Sequence, residues 1–118
     1  MELNKIKISK DATQKLWLLK ARTGLTPNIL CRIGFCLSLN EPGHPDTNRQ
    51  PEDGMEFNRY TLTGQYDVLF LSLLKEKCAQ EGFAVDNDTK EQFLAHLYRG
   101  VYLLSNRIKH LSDLNKLI

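Results

Sequence analysis

The five residues Lys5-Ile6-Lys7-Ile8-Ser9 alternate strictly between polar and apolar side chains. Such alternation indicates a β-strand that buries its isoleucines on one face and presents its lysines on the other. A single strand cannot satisfy its backbone donors and acceptors, so it must pair with another strand. Because the rest of the chain has little strand signal, we expect the partner to be the same strand of a second copy. A two-fold ribbon backed by helices is the arrangement of β-ribbon DNA-binding proteins.

Two helices follow this strand, and their ends are marked by characteristic residues. Ser9 is a candidate N-cap of the first helix, and Gly24 is a candidate left-handed residue at its end. Thr26 and Pro27 then predict the start of a second helix, which is apolar over most of its circumference. Such a helix is buried, either under its own chain or between subunits. Residues 1–40 therefore resemble a ribbon-helix-helix unit.

The rest of the chain divides into a loop and a helical body. Residues 41–64 are acidic and rich in proline and glycine, which predicts a long loop that closes with a short extended piece at residues 60–63. Residues 65–118 repeat apolar side chains at helical spacing, and Gly100 indicates a close helix crossing. Residues 86–88 are interpreted as a helix-capping turn. The predicted fold is mainly α, with one short N-terminal strand and about four helices in a single domain spanning 118 residues.

Charge is distributed unevenly along the chain. The net charge is only +2, but residues 1–40 carry seven basic and two acidic side chains, and residues 41–60 carry two basic and five acidic ones. The N-terminal third therefore forms a basic face. The candidate DNA-contacting residues are Lys5, Lys7, Lys10, Lys15, Lys20, Arg22, Thr26 and Asn28.

These residue types favour contact with phosphates over the reading of bases. Lysine acts as a point charge, which favours backbone contact and gives weak sequence preference. Thr26 and Asn28 mark a helix start, where free N–H groups and the helix dipole attract a phosphate. The alternative is that the lysines solvate an edge strand and protect it from aggregation.

Catalytic and metal-binding patterns are missing from the sequence. The three cysteines are odd in number and lie in apolar helical runs, and no Cys-x-x-Cys pair occurs. They predict reduced, buried thiols in a cytoplasmic protein, with no metal and no cofactor. The longest apolar run, at residues 68–74, is far too short to span a membrane.

Over nearly its whole length the chain resembles the DndE family of DNA sulfur modification proteins. The resemblance rests on KIKISKDATQKLWLLKARTGLTPNILCRIGFCLSL at the N-terminus, the Asn-Glu-Pro-Gly-His start of the loop, EFNRYTLTGQYD, and HLYRGVYLLSNRIKHLSDL near the end. It implies a role in phosphorothioation, in which sulfur replaces a non-bridging oxygen of the DNA backbone. It also implies that partner proteins do the sulfur chemistry: a cysteine desulfurase, an iron–sulfur protein and an ATPase-like component.

Together these patterns predict a non-enzymatic protein that binds double-stranded DNA and forms a dimer or tetramer. We hypothesise a preference for nicked or flexible duplex, because bending such DNA costs less elastic energy. One alternative is a scaffold that docks the other modification proteins through the acidic loop. Another is an autoregulatory transcription factor, by analogy with ribbon-helix-helix proteins alone.

Overall fold

The computed structural model of the chain describes residues 4–82 and 89–117. Its strands and helices are, in chain order, β1 (Lys5–Lys7), α1 (Lys10–Thr23), α2 (Pro27–Asn40), β2 (Glu56–Asn58), α3 (Arg59–Thr63), α4 (Asp67–Gln80) and α5 (Thr89–Arg107). A 3₁₀ turn, Gly64–Tyr66, joins α3 to α4, and another, Leu111–Leu117, follows α5. The predicted mainly α fold with a short N-terminal strand is confirmed. The capping turn predicted at residues 86–88 lies outside the described residues.

The two N-terminal helices begin and end where the sequence predicts. The Ser9 side chain accepts a hydrogen bond from the Ala12 N–H at 3.2 Å, which satisfies one of the free donors of the first turn. Gly24 adopts a left-handed φ of 77° and donates its N–H to the Lys20 carbonyl. Pro27 opens α2, where its missing N–H costs nothing.

Helix α2 is the centre of the molecule. It packs most extensively on α5, and also contacts α1, α3 and α4. Phe35 is 2% exposed, and its ring centroid lies 5.7 Å from that of Phe70 on α4 and 4.9 Å from that of Phe93 on α5. Aromatic pairs at these distances gain energy beyond the burial of their area. The apolar character of α2 is thus explained largely by burial under its own chain.

A close helix crossing joins α2 to α5, as Gly100 indicated. Gly34 and Gly100 face each other, and a Cβ added at Gly34 would lie 2.9 Å from the Gly100 carbonyl carbon. Only glycine allows two helix backbones to approach so closely. The two glycines therefore set the distance between the two principal helices.

The expected pairing of β1 with a second copy is wrong. β1 pairs antiparallel with β2 of the same chain, in a register that places Ile6 opposite Phe57. Both side chains are buried in the core, at 0% and 5% exposure. The partner strand was missed because it is only three residues long and carries one apolar side chain.

The prediction that residues 60–63 are extended is also wrong. They lie in the short helix α3, whose N-cap is Asn58: its side-chain oxygen accepts the Tyr60 N–H at 2.9 Å. Arg59 binds Asp67 with two hydrogen bonds, of 2.9 and 2.7 Å, and the Thr63 hydroxyl donates to the same carboxylate. Bidentate pairs of this kind fix orientation, so they align α3 with the start of α4.

Candidate nucleic-acid interface

The lysines of β1 point away from the core. Lys5 and Lys7 are exposed, while Ile6 between them and Ile8 after them are 0% and 1% exposed. Across the ladder, Lys5 faces Asn58 and Lys7 faces Glu56. In the part of the chain that the structure describes, neither lysine forms an ion pair. Both ammonium groups can therefore meet an external anion.

Lys10 extends this basic face to the start of α1. Its side chain is exposed, and its backbone N–H donates to the Asp53 carboxylate at 2.8 Å. A carboxylate at a helix N-terminus is stabilised by the free N–H groups and the helix dipole. Asp53 thus already occupies one anion position beside the lysines.

The other predicted basic residues are dispersed around α1. The Lys15 ammonium binds the Asp11 carboxylate at 2.7 Å, and the Lys20 ammonium lies 5.0 Å from the centre of the Trp17 ring. By the helical period, Lys15 and Arg22 share one edge of α1, whereas Lys20 is displaced by about 140° from Lys15. One flat surface cannot contact Lys15 and Lys20 together.

The start of α2 supplies a weaker candidate. Thr26 is its exposed N-cap and makes no side-chain capping bond within the described chain, and Asn28 is half-buried in the first turn. The free N–H groups of this turn remain a place for an anion, as at any helix start. Nothing in the geometry distinguishes this turn from other helix starts.

A groove runs beside the β1 lysines, between residues 46–52 and α5. It consists of a cavity of about 250 Å³, lined by Lys7, Arg49 and Lys90 among others, and an adjoining cavity of about 390 Å³. The two cavities share Asp46, Gln50, Ala95 and Tyr98. Sequence reasoning missed Arg49 and Lys90. Each has acidic or neutral neighbours in the sequence, and only the tertiary structure brings it to the same cavity as Lys7.

The acidic segment is held against the basic face by backbone hydrogen bonds. Gly54 donates its N–H to the Ile8 carbonyl at 2.8 Å, and Ile8 donates to the Met55 carbonyl at 3.0 Å. A Cβ at Gly54 would overlap the Thr13 hydroxyl and the Ser9 carbonyl, so only glycine fits. Carboxylates of the loop therefore lie next to lysines that precede them by more than forty residues.

A buried polar cluster fixes the other end of this segment. The Ser38 hydroxyl lies 2.8 Å from His96 Nδ1 and accepts the Nε–H of Arg99 at 2.8 Å. Arg99 also donates to the carbonyls of Ser38 at 2.7 Å and of Gly43 at 2.9 Å. The cluster ties the C-terminus of α2, and the first residues after it, to α5. Sequence reasoning missed the cluster, because Ser38 lies 58 residues from His96 and 61 from Arg99.

The cysteines are placed as their spacing implied, with one exception. Cys31 and Cys78 are buried, and burial raises the pKa of the Cys31 thiol to about 12. Cys36 is exposed, which corrects the expectation of three buried thiols, and it does not share a face with Cys31. Within residues 4–82 and 89–117, no group of three histidines, cysteines or carboxylates is arranged to hold a metal ion.

Over the same described residues, no helix combines the length and the apolar character that crossing a membrane requires.

Comparison with known proteins gives a consistent result. A sequence family described as DNA sulphur modification protein DndE matches residues 5–112. The fold is similar to a crystal structure of DndE from Escherichia coli involved in DNA phosphorothioation modification: TM-score 0.72, 24% identity, covering 88% of this chain and 98% of that one. A DndE mutant involved in DNA phosphorothioation is similar too, with TM-score 0.68 and 23% identity, over 89% of this chain and 99% of that one. No curated protein matches.

Proposed function

Because the chain belongs to the DndE family of DNA sulphur modification proteins, we propose that it serves DNA phosphorothioation as a non-enzymatic DNA-binding accessory. It contacts the phosphates of double-stranded DNA through Lys5, Lys7 and Lys10. The observation that carries this proposal is the strand β1, which buries Ile6 and turns both lysines outward. We assign Lys15, Arg22, Thr26 and Asn28 as secondary contacts along α1 and at the start of α2, and Lys20 adds only a long-range attraction.

Backbone contact suits a protein of this family. A complex that replaces a phosphate oxygen must hold the phosphate whatever the base sequence, and lysine supplies charge without a fixed hydrogen-bond pattern. Arginine, asparagine and glutamine, the usual readers of base edges, are absent from the outward positions of β1. We therefore expect weak sequence preference.

The salt dependence of DNA binding tests this assignment. Each phosphate neutralised by a lysine contributes about 0.9 to the slope of log affinity against log salt. The variant Lys5→Gln/Lys7→Gln should therefore bind more weakly, with a slope smaller in magnitude by up to about 1.8. A matched control, Lys75→Gln/Lys109→Gln, removes the same charge from exposed positions of α4 and of the segment after α5. Equal slopes for the two variants would contradict the assignment.

The same titration addresses the form of the DNA. We expect tighter binding to a nicked duplex than to an intact duplex of identical sequence, since a nick lowers the elastic cost of bending. Equal affinities would contradict this preference without affecting the lysine assignment.

Self-association and contact with other modification proteins complete the proposal. The outer faces of α1 and α4 leave large apolar side chains in solvent, among them Trp17 at 48%, Leu18 at 53% and Leu69 at 53% exposure. Exposed apolar patches are typical of interaction sites.

A second candidate function is a scaffold that docks partner proteins through the acidic loop, whose residues 46–53 are all exposed. Pull-down of the other modification proteins, with and without charge reversal at Glu52 and Asp53, separates the two roles.

A further inference from the structure

The acidic part of the chain lies on the basic face. We define residues 46–56 as the acidic strap; its acidic residues are Asp46, Glu52, Asp53 and Glu56, and its one basic residue is Arg49. Glu56 is the cross-strand neighbour of Lys7, and Asp46 and Glu52 line the same cavity as Lys7. Asp53 accepts the Lys10 N–H. Carboxylates thus surround the positions that DNA phosphates would take.

Hydrogen bonds hold the C-terminal part of the strap, residues 53–56, against β1 and the start of α1. Beyond the Gly54 and Ile8 bonds, Met55 donates its N–H to the Thr13 hydroxyl at 2.9 Å. By contrast, residues 47–52 are exposed, and the structure gives them no hydrogen bond to another element of the described chain. Glu52 can therefore move away from Lys7 without the loss of a protein hydrogen bond.

The electrostatic interactions between the strap carboxylates and Lys7 are weak enough for an external anion to replace them. Lys7 forms no ion pair with Glu56 or Glu52 in the described chain, and both glutamates are exposed. Interactions between exposed charges are weak and are screened by salt. Duplex DNA carries one negative charge per about 1.7 Å of its axis, so it offers a much denser row of anions than the strap does.

From this arrangement we propose that the acidic strap is an autoinhibitory competitor of DNA. Its carboxylates neutralise the basic face in the free protein, and a bound duplex displaces Glu52 from beside Lys7, while the hydrogen bonds of Asp53 and Glu56 are kept. The inference rests on the proposed function, since it takes the basic face as the DNA contact. Its consequence is selectivity: a polyanion with closely spaced phosphates displaces the strap, and a weaker anion does not.

Isosteric neutralisation of the strap provides the test. Glu52→Gln/Glu56→Gln raises the charge by two while leaving Asp53 on the Lys10 N–H. We expect DNA affinity to rise at low salt, and the ratio of variant to wild-type affinity to shrink by roughly threefold per added phosphate contact between about 50 and 200 mM salt. The salt slope should become steeper by about 0.9 for each lysine that gains a phosphate.

The matched control is Glu76→Lys, which also raises the charge by two but lies on the exposed side of α4. A general increase in positive field should tighten binding in the control slightly, without steepening the slope. If the strap variant and the control show the same affinity and slope, the inference is overturned. Unchanged thermal unfolding of both variants shows that the fold is preserved.

A third variant separates this inference from the proposed function. Lys5→Gln/Lys7→Gln is added to the neutralised strap, and the gain in affinity should disappear. If wild-type binding depends on these lysines but neutralising the strap changes nothing, the inference alone fails. If binding is insensitive to the lysines in both backgrounds, the proposed function fails with it.

Discussion

His96 is a residue whose chemistry is set by its neighbours. Its side chain is 0% exposed, and its Nδ1 lies 2.8 Å from the Ser38 hydroxyl. Burial, together with the nearby charge of Arg99, lowers the pKa of His96 to about 4 from an ordinary value of 6.5. The imidazole is therefore neutral in the folded protein at neutral pH.

This pKa predicts a pH-dependent stability. Between pH 6.5 and about 4 the unfolded chain binds a proton at His96 that the folded chain does not. The contribution of His96 to the free energy of unfolding should therefore be greatest above pH 6.5. It should fall as the pH is lowered through this window, by at most about 1.4 kcal/mol per pH unit. Urea unfolding followed by circular dichroism measures the effect. The variant His96→Gln serves as the reference, because its free energy of unfolding has no contribution from the titration of His96, even if it is lower at every pH. If the free energies of unfolding of wild type and variant change in parallel with pH, the assignment is contradicted.

At the scale of elements, the crossing of α2 and α5 determines how the molecule is assembled. The backbones meet at Gly34 and Gly100, and in the polar cluster beside this crossing Ser38 lies one turn after Gly34, while His96 lies one turn before Gly100 and Arg99 directly before it. The crossing therefore fixes where the chain leaves α2. From there residues 41–55 return to β1, so the position of the acidic strap depends on the packing of two helices that do not belong to it.

Substitution at the crossing should be strongly destabilising. A Cβ at Gly100 would overlap the carbonyl group of Gly34, and backbone atoms cannot yield as a flexible side chain can. We expect Gly100→Ala to lower the free energy of unfolding by about 1–3 kcal/mol, although alanine favours a helix over glycine by about 1 kcal/mol.

Gly24→Ala is the comparison for this prediction. Gly24 has no atom within 4 Å of an added Cβ, but its φ is 77°. Its substitution should cost about 1 kcal/mol, from backbone conformation alone. Denaturant midpoints of the two variants measure the difference. A Gly100→Ala protein as stable as the wild type would show that the helices can separate without cost.

For the whole molecule, the apolar surface calls for an explanation. Helix α4 exposes 76% of Val68, 53% of Leu69 and 40% of Leu73, on the side opposite its buried residues. On α1, Trp17 and Leu18 lie opposite the buried Leu16 and Leu19. Helices α1 and α4 therefore carry apolar residues on their exposed side as well as on their buried side. These exposed apolar residues are the structural reason to expect self-association.

We expect the protein to sediment as a dimer or tetramer. Leu69→Gln/Leu73→Gln and Trp17→Gln/Leu18→Gln each remove one apolar face, and at least one of them should lower the sedimentation mass. Helix content should stay unchanged, because the substituted side chains lie outside the core. Sedimentation equilibrium over a range of protein concentrations measures this. A monomeric wild type at all concentrations would contradict the expectation.

The sequence by itself determined the features that depend on neighbouring residues. Ser9, Gly24 and Pro27 marked the limits of α1 and α2, and the alternation around Ile6 assigned its buried and exposed faces. These follow from hydrogen bonds and side-chain directions within one or two turns, so a local pattern is enough. The close crossing of two helices at Gly100 was also predicted from local sequence, because glycine is unfavourable inside a helix and its presence there indicated that another backbone lies nearby.

Only the tertiary structure decided which distant segments of the chain contact each other. The partner of β1, the helix α3, the groove containing Lys90, and the Ser38–His96–Arg99 cluster all depend on contacts between distant residues. A strand of three residues has too little pattern to be recognised, yet it is stable here because Ile6 and Phe57 are buried together. The acidic residues looked like a separate loop, and the fold placed them on the lysines. Separation along the chain does not predict distance in space, because packing of the core decides which segments meet.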